Sequence, residues 1–151
     1  MIEIALFQPD IAPNAATVMR MCACFGLKVR VIEPAGFTWN DSMLRRAGMD
    51  YLAQAEVIRD ASWEAFRTAT AGRRLVLMST RAALPFTDFA FAPDDIILMG
   101  RESAGVPDHV HDAADARLLI PMRKGLRSLN VAMACAMVTG EALRQLRMFP
   151  Q

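Results

Sequence analysis

The sequence predicts an α/β fold in which a parallel sheet carries helices on both faces. Two observations predict it. Runs of four to six apolar residues recur between stretches of helical character, and unbroken apolar runs of that length mark strands buried on both faces. At 151 residues the chain is also of single-domain size and can bury a substantial core. No repeat, low-complexity tract or linker divides it, so one domain over 1–151 with no appended RNA-binding module is expected.

The elements follow in order. Ile2–Phe7 reads as a buried strand, and a helix opens near Pro13 and closes at Gly26. Lys28–Ile32 is a second strand, followed by a polar helix around Asp41–Ala47 and a short strand at Glu56–Ile58. Ser62–Thr70 is a helix with Ser62 as N-cap and Gly72 just past its end. Strands at Leu75–Ser79, Ile96–Met99 and Leu118–Ile120 precede a long helix from Ser128 to Met148.

Hydrophobic residues make up 54% and charged residues 22%, a globular composition. No apolar run reaches the roughly 18–20 residues of a membrane span. The opening MIEIALFQPD carries acids where a secretory signal carries Lys or Arg. A cytoplasmic protein with no membrane partner is expected. Cys22, Cys24 and Cys135 then read as inert core thiols, because an odd count without an export signal argues against disulfides. Cys22-Ala-Cys24 alone does not make a metal site, with both histidines, His109 and His111, far off in sequence; no metal is expected.

The net charge of +1 hides an asymmetry. From Asp88 to Asp115 seven acids face one base, Arg101; from Arg117 onward six bases face one acid, Glu141. Arg123, Lys124 and Arg127 crowd into one short stretch. Such a strip suits an anionic polymer, although a solvated loop would look the same.

Two helices lack a polar face. AATVMRMCACF over 15–25 has only Thr17 and Arg20 as polar groups, and VAMACAM over 131–137 has none. Two-layer packing leaves one side of each in water, so a homodimer covering the outer faces is expected. A helix wholly internal to one protomer is the alternative.

Three places could carry chemistry. Arg20 is the only charge in its helix, about 200° from Val18 on the helical wheel, and must meet an acid, a phosphate or a subunit seam. Leu98-Met-Gly100-Arg-Glu102-Ser-Ala-Gly105-Val-Pro107 stands at the C-terminal end of a strand, where open sheets place ligands. It is neither a dinucleotide fingerprint nor a Walker loop, since Val106-Pro107 replaces Lys-Ser/Thr. Ile120-Pro121-Met-Arg-Lys-Gly125-Leu-Arg127-Ser128-Leu-Asn130 joins a strand to a helix start through a basic loop, with Ser128 at the N-cap position. An ordinary ion pair, turn and cap would explain each of these separately.

Asn14 with Arg20, then G-x-E-x-x-G-V-P, then I-P-M-…-R-S-L-N before an apolar helix, resemble the three ordered motifs of the SpoU branch of SPOUT methyltransferases. Phe7-Gln-Pro-Asp-Ile-Ala-Pro-Asn14, Ile32-Glu-Pro-x-Gly-Phe37 and Leu44-Arg-Arg-Ala-Gly48-Met-Asp-Tyr51 extend the likeness to the branch's small tRNA enzymes. These methylate the 2′-hydroxyl of the wobble cytidine or uridine. The resemblance runs from Met1 to about Leu146.

It implies a C-terminal deep trefoil knot, S-adenosylmethionine as methyl donor, tRNA as partner (leucine tRNAs in particular), and no DNA. Another tRNA or rRNA nucleotide as target, or a non-catalytic RNA-binding protein on the same fold, are the alternatives; a small-molecule regulatory domain would not need the basic strip. Position by position, the cofactor would contact Met78, Gly100, Gly105, Ile120 and Ser128. Asn14, Arg20, Glu102, Ser128 and Asn130 fall at the catalytic positions, and Arg45, Arg46, Arg123, Lys124 and Arg127 would grip the RNA. Gly140 stands where relatives can carry an aromatic residue, which removes a contact to RNA or partner. No histidine occurs in the motifs to serve as base. Lowering a guanidinium from about 13 to about 7 would cost about 8 kcal/mol. Arg20 is therefore expected to stay charged, holding phosphate and developing alkoxide, with Glu102 or water taking the proton.

Overall fold

The computed structural model describes residues 1–40, 42 and 52–151. Apart from Ser42, the helix expected at Asp41–Ala47, and with it Arg45 and Arg46, lies outside them.

The strands are β1 (Glu3–Phe7), β2 (Lys28–Ile32), β3 (Glu56–Asp60), β4 (Leu75–Met78), β5 (Leu84–Pro85), β6 (Ile96–Met99) and β7 (Ala116–Leu119). The helices are α1 (Ala12–Phe25), α2 (Trp63–Ala69), α3 (Asp108–Ala113) and α4 (Val131–Leu146). All pairings are parallel, in the order β3-β2-β1-β6-β4-β7-β5. The expected parallel sheet is present.

Alternation along the buried strands divides two cores. Ile4 and Leu6 of β1, Val76 of β4 and Ile97 and Met99 of β6 face α1 and α4. Ala5, Phe7, Leu75, Leu77, Ile96 and Leu98 face the other way, onto Phe66 and Trp63 of α2 and Val110 of α3. Successive residues in a strand point to opposite faces, so each apolar run feeds both layers. That is why these runs show no polar alternation.

Local signals set the helix ends. α1 stops at Gly26, whose φ of 66° is left-handed. Ser62 caps α2 by accepting from the Ala65 amide at 3.0 Å. The expected cap at Ser128 is corrected. α4 begins two residues later, where Asn130 Oδ1 accepts from the amides of Ala132 at 2.9 Å and Met133 at 3.2 Å. Asparagine caps at least as well as serine, and here it closes on two amides at once.

Cys22 and Cys135 are buried, and burial pushes the Cys135 thiol up to about 12. Cys24 is exposed, correcting its reading as a core thiol. It lies one turn beyond Arg20 and two beyond Thr17, on the row of α1 that faces away from the sheet.

Two of the crossovers in this strand order interleave. The β4–β5 connection passes over β7, and the β6–β7 connection passes over β4. Both lie beside the C-terminal ends of β6 and β7, where the cleft opens.

Candidate active site

Three segments far apart in sequence close around one cleft of about 1040 Å³. They are the start of α1, the loop after β6, and the chain from the end of β7 to the start of α4, with residues 78–81 at the end of β4 completing the lining. Met78, Met99, Leu118 and Ile120 supply apolar wall at the strand ends. Asn14, Gly100, Glu102, Gly105, Arg123, Lys124, Arg127, Ser128 and Asn130 also line it. All the expected cofactor contacts therefore meet in one place. Arg20 does not line the cleft; it stands exposed on the outer row of α1.

The loop after β6 is a tight reversal. Arg101 and Gly105 exchange backbone hydrogen bonds of 3.0 and 2.9 Å. Gly105 has φ of 61°, a conformation side chains disfavour. A Cβ on Gly100 would stand 2.9 Å from the Cα and carbonyl carbon of Gly105. The reversal thus needs a bare Gly100 to close, while the Cα of Gly105 looks into open space.

Glu102 is clasped from behind by Asp10, a residue the sequence reading passed over. The Asp10 amide donates to Glu102 Oε2 at 3.1 Å, and the Glu102 amide donates to Asp10 Oδ1 at 3.2 Å. Ser103 Oγ donates to Asp10 Oδ2. Burial, then the hydrogen bond with Asp10, lifts the Glu102 carboxyl above its ordinary value. The same hydrogen bond outweighs burial at Asp10 and holds that carboxyl below its own. Like-charged carboxyls this close divide their proton affinities, leaving one stronger and one weaker base. Asp10 lies within Phe7–Asn14, but nothing in its spacing sets it apart from any aspartate in a turn.

On the far side, Asn130 Nδ2 donates to Asn14 Oδ1 at 3.0 Å. The same Asn130 thus caps α4 and ties it to α1. The loop between β7 and α4 is exposed from Arg123 to Asn130, so its three cations face solvent at the cleft mouth.

The cleft fits a nucleoside-bearing cofactor. Its volume is of the size small-molecule sites need, its strand-end wall is apolar, and its glycine reversal lets a ligand approach backbone closely. Among the described residues no cluster of His, Cys, Asp or Glu could hold a metal ion.

Residues 1–140 match the SpoU rRNA Methylase family, and the chain belongs to it. A tRNA (cytidine(34)-2'-O)-methyltransferase of Beijerinckia indica is 60% identical, the match covering 94% of this chain and 90% of that protein. The Escherichia coli K12 protein of the same name is 36% identical, over 97% of this chain and 94% of its own. A solved structure described as giving structural insights into the 2-OH methylation of C/U34 on tRNA superposes with a TM-score of 0.93 at 36% identity, covering 97% of both chains.

Proposed function

We propose that the chain is an S-adenosylmethionine-dependent methyltransferase acting on the ribose 2′-hydroxyl of the wobble nucleotide, cytidine or uridine, of tRNA. The observation that carries this is the meeting of Asn14, the Gly100–Gly105 reversal with Glu102, and Ser128–Asn130 around one cleft. The names and near-complete coverage of the relatives supply the substrate class. Leucine tRNAs are the species the motif resemblance favours.

Bound in the cleft, S-adenosylmethionine supplies a methyl group carried on positively charged sulfur. Met78, Leu118 and Ile120 give an apolar slot for its base, and Gly100, Gly105 and Ser128 offer close backbone and hydroxyl contact. Asn14 and Asn130 hold each other and the sugar's approach. Glu102, its basicity raised by burial and by Asp10, takes the 2′-hydroxyl proton and later releases it to water. Arg20 stays charged and holds the target phosphate and the developing alkoxide. Arg123, Lys124 and Arg127, with Arg45 and Arg46, grip the RNA backbone.

The working unit is a homodimer. Met133 is 61% exposed and Met137 44% on α4, with Ile11 and Leu129 beside the start of the same helix pair. A surface of large apolar side chains on this scale is what a partner subunit covers. Arg20 lies on that side and would reach a cleft across or beside the seam. The two interleaved crossovers support closure into the deep trefoil knot that the motif resemblance implies.

The test is a tRNA with 2′-deoxyribose at the wobble nucleotide, which should bind but accept no methyl group. Methylation at the rate of the all-ribose RNA would place the target elsewhere.

A further inference from the structure

We infer that Asp10 is a positioning residue that orients the Glu102 carboxylate and sets its strength as proton acceptor. The inference rests on the reading that Glu102 takes the ribose proton. Asp10 itself stands behind the cleft and lines none of it. It acts through Glu102: the reciprocal amide-to-carboxylate hydrogen bonds fix the orientation of that carboxylate, while the Asp10 side chain and its negative charge raise its proton affinity.

The surroundings hold Asp10 in that place. A Cβ on Gly36 would meet the Asp10 Cβ at 2.7 Å, and the Gly36 amide donates to the Pro9 carbonyl at 2.9 Å. The turn after β2 therefore packs closely against Asp10, and Ser103 secures its second oxygen. Built this tightly, the pair keeps Glu102 in one orientation, with one carboxyl lifted and the other lowered.

Other charged groups nearby are already engaged or on the opposite wall. Arg101 Nε donates to the Gly105 carbonyl, and Glu33 at the end of β2 pairs with Arg59. Arg81 pairs with Asp108, while Arg123, Lys124 and Arg127 project from the basic loop. Asp10 is the neighbour whose charge and hydrogen bond raise the Glu102 proton affinity, on top of burial.

Asp10→Asn removes the charge and keeps an oxygen for the Glu102 amide. With S-adenosylmethionine and bulk tRNA from cells lacking the gene, the acid limb of kcat should move down by about one pH unit. The plateau should fall by about threefold, as expected for a weaker base, while KM for tRNA and cofactor affinity hold. Asp10→Glu should restore the limb. Carboxyl-labelled carbon NMR should show Glu102 titrating lower in Asp10→Asn. Ser103→Ala, at an exposed position, should produce a smaller shift in the same direction. An unshifted Glu102 titration and acid limb in both variants overturns the role of Asp10. Glu102→Gln separates the two readings. Full turnover in that variant removes Glu102 as acceptor and the inference with it; impaired turnover beside an unshifted Asp10→Asn overturns the inference alone.

Discussion

Gly100 and Arg20 make opposite demands on the same reaction. Alanine at Gly100 would drive a methyl group to 2.9 Å from the Gly105 backbone, so the reversal has to open. Overpacking of that kind costs about 1–3 kcal/mol, and it displaces backbone that approaches the cofactor. Gly100→Ala should lower S-adenosylmethionine affinity at least tenfold by calorimetry; wild-type affinity in a folded variant would remove the reversal from the site. Arg20→Ala should leave cofactor affinity intact and lose turnover by about 10²-fold, as missing transition-state donors do. Lost cofactor binding there would reverse the division of roles. The sequence showed Arg20, Glu102 and both asparagines because each sat in a motif. Asp10 was not visible, since its importance comes from a fold that sets the end of β1 against the loop after β6, 92 residues on.

At the scale of elements, β1, β2 and β3 are stapled at one corner of the sheet. Arg30 of β2 donates to Glu3 of β1 at 2.9 Å and to Asp60 of β3 at 3.1 Å, and Arg73 reaches Glu3 at 2.6 Å. Burial alone would raise the Glu3 carboxyl, but the two guanidiniums outweigh it and hold it below 4.5. A carboxyl lowered in the fold contributes stability that is present above its unfolded value and lost as pH falls through the folded one. Urea unfolding should therefore show stability falling from about pH 5 downward. Glu3→Gln should flatten that fall and cost about 1–3 kcal/mol at neutral pH, the worth of a charged hydrogen bond, since Arg30 keeps Asp60 while both guanidiniums lose Glu3. An unchanged pH slope would discount the staple. β1 was legible because residues 4–7 are continuously apolar, and β2 because KVRVI alternates, with Val29 and Val31 buried. β5 was not, having two residues of which one is Pro85, and α3, DHVHDA, is too short and polar to show a period. The start of α4 was misplaced because Ser128 and Asn130 are both good caps, and only the geometry selects between them.

The whole molecule leaves α4 half covered. Among its outward residues Met133, Ala136 and Met137 are exposed and apolar, as the absence of a polar face in VAMACAM had suggested. Met137→Glu should fold as a single chain, because that side chain already meets water, yet bury an unpaired carboxylate in any dimer. Sedimentation should move from twice 16.7 kDa to that mass itself; a wild-type monomer would remove the dimer. The strand order also fixes a history for the chain on the ribosome. β1 emerges first, but the strand that shields its second edge is β6, where Glu3 pairs with Ile96. At about 5–20 residues per second, that neighbour arrives roughly 5–20 s later. Until then the strand EIALF, apolar from Ile4 to Phe7, offers bare amides and carbonyls to any passing strand. The pace of translation up to residue 96, rather than any group in the cleft, then governs how long the newborn protein is open to the wrong partner.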